Sequence, residues 1–148
     1  MDDAELLGVA IEQARIGRSE GGVPIGAAIL VDGRVVGAGR NRRVQLGSAI
    51  RHGETDALEV AGRLPASAYR RATMATTLSP CDMCTGAILL YGIPRLVLGE
   101  NRTFMGGEDL LRSRGVEVVN HDSPACYDLL QGFIGKHPEI WNEDIGEE

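Results

Sequence analysis

Two short stretches hold the side chains able to do chemistry together: His52-Gly53-Glu54 and Pro80-Cys81-Asp82-Met83-Cys84. One imidazole and two thiols form the donor set of a catalytic zinc site. Such a site keeps three protein ligands and leaves a fourth position for water, and borderline-soft Zn2+ accepts the mixed set. A closed four-Cys site cannot be assembled, because the only other thiol, Cys126, stands far from both stretches with no second Cys beside it. Bound zinc brings the pKa of water from about 15.7 toward about 7. A carboxylate beside the metal but not bound to it then moves the protons, and Glu54 is suited to that role.

Spacing constrains where these groups sit. Residues i and i+2 of a regular helix lie roughly 200° apart, so His52 and Glu54 cannot share a helical face, and His52 is expected at the start of a helix. Cys81 and Cys84, at i and i+3, do share a face. They are expected in the first turn of another helix, after a strand ending near Ser79-Pro80. Both helix N-termini then point at the metal, where the dipole and free amides favour thiolate.

The elements that must position these motifs alternate between helix and strand. Leu6, Leu7, Ala10, Ile11 and Ala14 recur at helical spacing between about Ala4 and Arg18, and Glu20-Gly21-Gly22 stops that helix. Ala27 to Val31 and Arg34 to Ala38 flank Asp32-Gly33, a strong hairpin signal. A helix from about His52 to Ala61 ends at Gly62. Thr73 to Thr77 reads as a strand, Cys81 to Tyr91 as the second metal-bearing helix, and Arg95 to Leu98 and Val116 to Val119 as two further strands. A helix near Glu108 to Arg114 joins the last two. Ser123-Pro124 opens a helix to about Ile134, with Ser at the cap and Pro at the first helical position. A hairpin followed by β-α-β-α-β-α predicts an α/β sandwich on a five-stranded mixed sheet. Both metal motifs fall on strand-to-helix turns, where such folds place their sites.

Composition bounds the function. The 148 residues are expected to form a single domain, and 43% hydrophobic content can fill a core. A net charge of −6 and the lack of a basic run speak against a surface built for nucleic acid. No run of 18 apolar residues predicts a membrane span, and three cysteines without a signal segment suggest a soluble protein of the cytoplasm.

The ordered pair of motifs, H-x-E and P-C-x-x-C, is the signature of zinc deaminases of nucleobases, and the chain resembles the cytidine/deoxycytidylate deaminase superfamily. Within it, the chain is most similar to the fungal-type cytosine deaminases. Matching stretches include Glu20-Gly21-Gly22-Val23-Pro24-Ile25-Gly26, Gly47-Ser48-Ala49, Thr76 through Ile88, Tyr91-Gly92-Ile93-Pro94-Arg95, Gly99-Glu100-Asn101 and Glu143-Asp144-Ile145-Gly146-Glu147. The resemblance implies a three-layer α/β/α fold, one Zn2+ per chain on His52, Cys81 and Cys84, and a homodimer. It implies hydrolysis of cytosine, and of 5-substituted cytosines, to uracil and ammonia, a role in pyrimidine salvage. It also implies substrate contacts: Asn41 on the pyrimidine edge, the Gly53 amide on the ring carbonyl, and the Ser79 carbonyl and Asp144 on the exocyclic amine. Phe104 and Trp141 wall the pocket, Ile25 lines its floor, and residues 138–148 form a lid.

Other readings of the same residues stay open. A C-x-x-C beside a βαβ pattern also suits a redox dithiol or zinc-stabilised scaffold, and Asn41 suits a plain turn. Phe104 and Trp141 suit a core, and Asp144, among Glu139, Glu143, Glu147 and Glu148, suits a solvated tail. Arg51 precedes His52 where the fungal pattern is apolar, and residues 102–107 differ around Phe104. Isocytosine, guanine, an aminotriazine or a tRNA adenosine therefore stand as alternative substrates, since pocket shape sets the choice.

Overall fold

The computed structural model describes residues 1–148. Its strands are β1 (Gly26–Val31), β2 (Arg34–Arg40), β3 (Ala72–Leu78), β4 (Arg95–Glu100) and β5 (Glu117–Asn120). Its helices are α1 (Asp3–Ser19), α2 (Arg43–Leu46), α3 (Gly53–Ala61), α4 (Ala66–Tyr69), α5 (Asp82–Tyr91), α6 (Glu108–Ser113), α7 (Pro124–Lys136) and α8 (Pro138–Asp144). The strands form one sheet in the order β2-β1-β3-β4-β5. Pairing is antiparallel from β2 through β1 to β3 and parallel from β3 through β4 to β5, so the sheet is mixed as expected.

The hairpin turn follows from its two residues. Asp32 and Gly33 adopt φ of 50° and 79°, and two consecutive positive φ values define the type I′ turn that matches strand twist. α1 is started by a capping box in which Asp2 accepts from the Glu5 amide while Glu5 accepts from the Asp2 amide.

Side-chain alternation sorts the helices into two layers. Ala27, Ile29 and Val31 of β1, Met74 of β3 and Leu96 and Leu98 of β4 pack with Ala57, Ile88 and Leu111 on one face, that of α3, α5 and α6. Ala28, Ala75 and Val97, one residue out of phase, pack with Leu6, Leu7 and Ala10 of α1 and Cys126 of α7 on the other. The result is a three-layer α/β/α sandwich. Ile11, read from the sequence as part of the buried face of α1, is only partly buried.

Sheet direction gathers the site. Because β1 runs antiparallel to β2 and β3, its N-terminal end lies beside their C-terminal ends, with Gly26 opposite Arg40 and Ala27 opposite Thr76. Ile25, Asn41 and Ser79, each one residue outside a strand, therefore emerge at the same edge. A third cluster fills that edge: Val23, Ile25 and Leu78 pack with Leu130 and Phe133 of α7 and Trp141 of α8.

Three helices go beyond the sequence expectations. α2 and α4 have four residues each, too few for a periodic pattern. α8 has seven, with Pro138 in its first turn. No helix is long and apolar enough to cross a membrane.

Candidate active site

His52 is the N-cap of α3 and Cys81 the N-cap of α5, both with extended backbones, and neither side chain caps its own helix. Freed from capping, they meet across the gap between the two helix ends. His52 Nδ1 lies 3.4 Å from Cys81 Sγ and 3.8 Å from Cys84 Sγ. One ligand atom from each of the three residues falls within 4.8 Å of the others. The opposite ring nitrogen, Nε2, faces Asp144 Oδ1 at 3.6 Å. A carboxylate on the far nitrogen is the arrangement that orients a metal-binding imidazole.

The protein's own groups already favour a cation here. Hydrogen bonding from Cys84, followed by that from His52, brings Cys81 down to about 4 against its burial. The proton held between the two sulfurs pushes Cys84 up. His52 rises to about 9, because burial, which acts downward, is outweighed by Cys81 and by the charges of Asp144 and Glu54. An imidazole and two thiols sharing acceptors and few protons fit zinc, which takes neutral imidazole and thiolates.

Glu54 is 4% exposed and stands outside the ligand trio. Burial pushes its carboxyl up to about 7, opposed mainly by the nearby His52. A carboxyl titrating near neutrality is matched to proton transfer in both directions.

A narrow cavity of about 20 Å³ adjoins these groups, lined by Ile25, His52, Glu54, Leu78, Ser79, Cys81, Phe104, Trp141, Asp144 and Ile145. That is room for little more than one water, so the lining side chains stand packed against one another. Two expected residues lie just outside its lining. Asn41 is fully buried and donates from Nδ2 to Asp144 Oδ1 at 2.7 Å, while its amide holds the Ile25 carbonyl at 2.9 Å. Gly53 packs against residue 25, where an added Cβ would come within 3.2 Å of the Ile25 carbonyl oxygen.

Ser79 is 2% exposed, and its backbone carbonyl accepts no hydrogen bond from the protein. A buried carbonyl without an internal partner is uncommon. Asp144 is 7% exposed rather than solvated. Its carboxyl is raised by burial, against His52, Asn41 and Arg43.

Several residues of the site escaped the sequence reading. Leu78 and Ile145 line the cavity although each sits inside a quoted motif. Arg43 approaches Asp144 at 3.7 Å and Glu143 at 3.8 Å; nothing in its local sequence marks it. Arg51, a departure from the fungal pattern beside His52, turns away from the cavity. Its Nε lies 3.0 Å from the buried Asp56, a charge contact without hydrogen-bond alignment, and Arg42 bonds the same carboxyl oxygen at 2.7 Å. A wider surface groove between α3 and α5, rimmed by Ile50, Leu58, Leu90 and Tyr91, contains Arg51 and none of the metal-facing side chains.

With this geometry in place, residues 1–100 match the cytidine and deoxycytidylate deaminase zinc-binding region, and the chain belongs to that family of zinc-dependent deaminases. It is 56% identical over 147 residues to a cytosine deaminase of Candida albicans, covering 99% of this chain and 98% of that one. It is 33% identical over 135 residues to a tRNA-specific adenosine deaminase of Streptococcus pyogenes, covering 84% and 85%. Among solved structures, the guanine deaminase of Nitrosomonas europaea superposes with a TM-score of 0.70 at 25% identity, over 91% of this chain and 85% of that one.

Proposed function

We propose that the protein hydrolyses free cytosine to uracil and ammonia and accepts 5-substituted cytosines. The observation that carries this reading is the narrow pocket in which the tail residues Trp141, Asp144 and Ile145 face Ile25 and Glu54 beside the metal trio. Such a cavity suits a lone base better than a base on a polymer. Near-full-length identity with the Candida albicans cytosine deaminase supports it.

His52, Cys81 and Cys84 would hold Zn2+, which when bound would supply a water activated for attack at neutral pH. Glu54 takes the proton that this water gives up and delivers it to ring nitrogen N3 as C4 is attacked. Glu54 then takes the proton of the new C4 hydroxyl and passes it to the departing amine, so that the C4–N bond breaks as the carbonyl forms and cytosine and water leave as uracil and ammonia. Asn41 holds the pyrimidine edge, and the Gly53 amide, free at the start of α3, holds the ring carbonyl. The Ser79 carbonyl and Asp144 accept from the exocyclic amine. Phe104 and Trp141 sandwich the ring above Ile25.

Residues 1–148 act as one catalytic domain in which 138–148 form a lid, whose opening admits substrate and releases product. The exposed apolar side chains Ile50, Val60, Leu90 and Tyr91 on and beside α3 and α5 support a homodimer. The net charge of −6 supports a small-molecule partner rather than nucleic acid. Three unpaired cysteines support a reducing cytoplasm, and the release of uracil from a free base suits a role in pyrimidine salvage.

The test is ammonia release by zinc-loaded protein on cytosine, 5-methylcytosine, isocytosine, guanine, an aminotriazine, cytidine and an adenosine-bearing tRNA stem-loop. Turnover of cytosine without that of cytidine or RNA is the expected result. Activity on another ring alone would overturn the substrate while leaving Glu54 and the metal site in their roles.

A further inference from the structure

The Gly99-Glu100-Asn101 stretch belongs to the family pattern but has no part in the chemistry above. In the fold it opens the loop 101–107 that carries Phe104, and two buried acids grip that loop from either end. Glu100, fully buried, accepts from the amides of Arg102 at 2.7 Å and Thr103 at 2.9 Å. Glu108, 2% exposed, accepts from Ser79 Oγ at 2.6 Å and from Asn101 Nδ2 at 3.3 Å. Burying an acid is unfavourable unless its partners are secured. Two within nine residues of chain mark a segment held in one position.

The tie from Glu108 passes directly to the cavity. Ser79 Oγ donates to Glu108 and accepts from the Gly106 amide at 3.0 Å, so both capacities of the hydroxyl are engaged behind the chain. Beside it, the Gly107 amide donates to the Pro80 carbonyl at 3.0 Å. The approach is close enough that a Cβ on Gly106 would fall 1.8 Å from that same carbonyl oxygen. Ser79 so held lines the cavity together with Phe104, and its carbonyl has no partner within the protein.

We propose that Glu108 is a positioning residue for the reaction. Through Ser79 Oγ it aims the Ser79 carbonyl at the substrate amine, and through Asn101 and Gly106 it holds the wall formed by Phe104. This rests on the cytosine reading of the cavity. The contact is to substrate rather than metal, so loosening it raises KM and lowers kcat/KM without releasing zinc.

The test compares wild type, Glu108→Gln, Ser79→Ala and the double variant, with kcat and KM for cytosine, zinc content and melting temperature measured on each. Ser79→Ala keeps the backbone carbonyl but cuts the tie, and it carries the test should Glu108→Gln fold poorly. Each single variant is expected to lose about tenfold in kcat/KM, mostly in KM, at full zinc occupancy. The double variant is expected to lose no more than the worse single, because one linkage is broken twice. Unchanged kcat/KM in folded, zinc-loaded Ser79→Ala overturns the proposal, as do fully additive losses or a loss tracking zinc content. A lowered melting temperature with wild-type kinetics leaves Glu108 a purely structural acid. Wild type inactive on cytosine brings down the cytosine reading itself, and this inference with it.

Discussion

Asn41 and Asp144 lie 103 positions apart in the chain, yet the Asn41 amide donates to the Asp144 carboxyl at 2.7 Å in the buried wall of the cavity. One residue follows β2 and the other ends α8, so this contact ties the tail to the sheet edge beside His52. It also gives a lone acid in an acidic tail a defined partner. Asp144→Ala leaves the Asn41 amide buried without an acceptor, and a lost hydrogen bond to a charged group is worth roughly 1.5–3 kcal/mol. A fall in kcat/KM of about ten- to a hundredfold is expected in steady-state ammonia release. Wild-type kinetics would free Asp144 from any role at the substrate.

Glu54→Gln is expected to lower kcat by about 10² to 10⁴, the range for losing a positioned proton shuttle. The fold should persist, because burial already pushes this carboxyl up to about 7 and a neutral amide suits the same surroundings. Zinc analysis and thermal melting on the same preparation separate lost chemistry from lost metal.

Removing the metal tests the trio at His52, Cys81 and Cys84. Chelation should abolish turnover and lower the melting temperature, and zinc should restore both. A ligand at about 1,000 times its Kd stabilises the folded state by about 4.1 kcal/mol. Cys84→Ala should show the low melting point regardless of added zinc. Full activity after complete chelation would refute the metal assignment.

Gly39→Ala connects the sheet to the chemistry. A Cβ there would fall 2.3 Å from the Ala57 amide nitrogen in α3, so the helix that begins at His52 and carries Glu54 must back away from β2. Overpacking of this kind is destabilising by about 1–3 kcal/mol, and weaker zinc retention is expected alongside a lower melting temperature. Gly8→Ala on α1, where nothing stands within 4 Å of the added carbon, should instead stabilise by about 0.5–1 kcal/mol. Equal melting temperatures for the two variants would remove the distinction.

Acid should selectively weaken the seat of α1. The Arg95 guanidinium holds the Asp3 carboxyl below its ordinary value, against a smaller effect of burial. The folded value is the lower one, so this contribution is complete above the unfolded value of about 3.9. It disappears as pH falls through the folded value. Both side chains are about a third exposed, which limits the pair to about 0.2–1 kcal/mol. Asp3→Asn should melt a few degrees below wild type at pH 7 and converge with it in strong acid. A constant gap across the range would show that charge is not the cause.

Local patterns exposed much of this molecule. Asp32-Gly33 specified its turn through its own backbone preferences, and the i, i+2 and i, i+3 spacings put His52 and Cys81 at helix starts because helical geometry admits little else. What stayed hidden depends on residues distant in sequence. Glu108 and Asp56 look like solvated acids until their partners, Ser79 and Arg42, are brought to them by the fold. Arg51 stands out as a departure beside His52, and only the position of Asp56 shows that it faces away from the cavity. α2 and α4 are short turns held by tertiary packing, with no periodicity to read.

The order of these parts along the chain sets the order in which the site comes together as the polypeptide is made. The zinc-facing side chains all lie between His52 and Cys84 and can meet once α3, β3 and α5 have emerged. Trp141 and Asp144 arrive only with α8. A domain folds as a unit, so the tail is the last part the ribosome must release before the wall that excludes water can close over the metal-facing side chains.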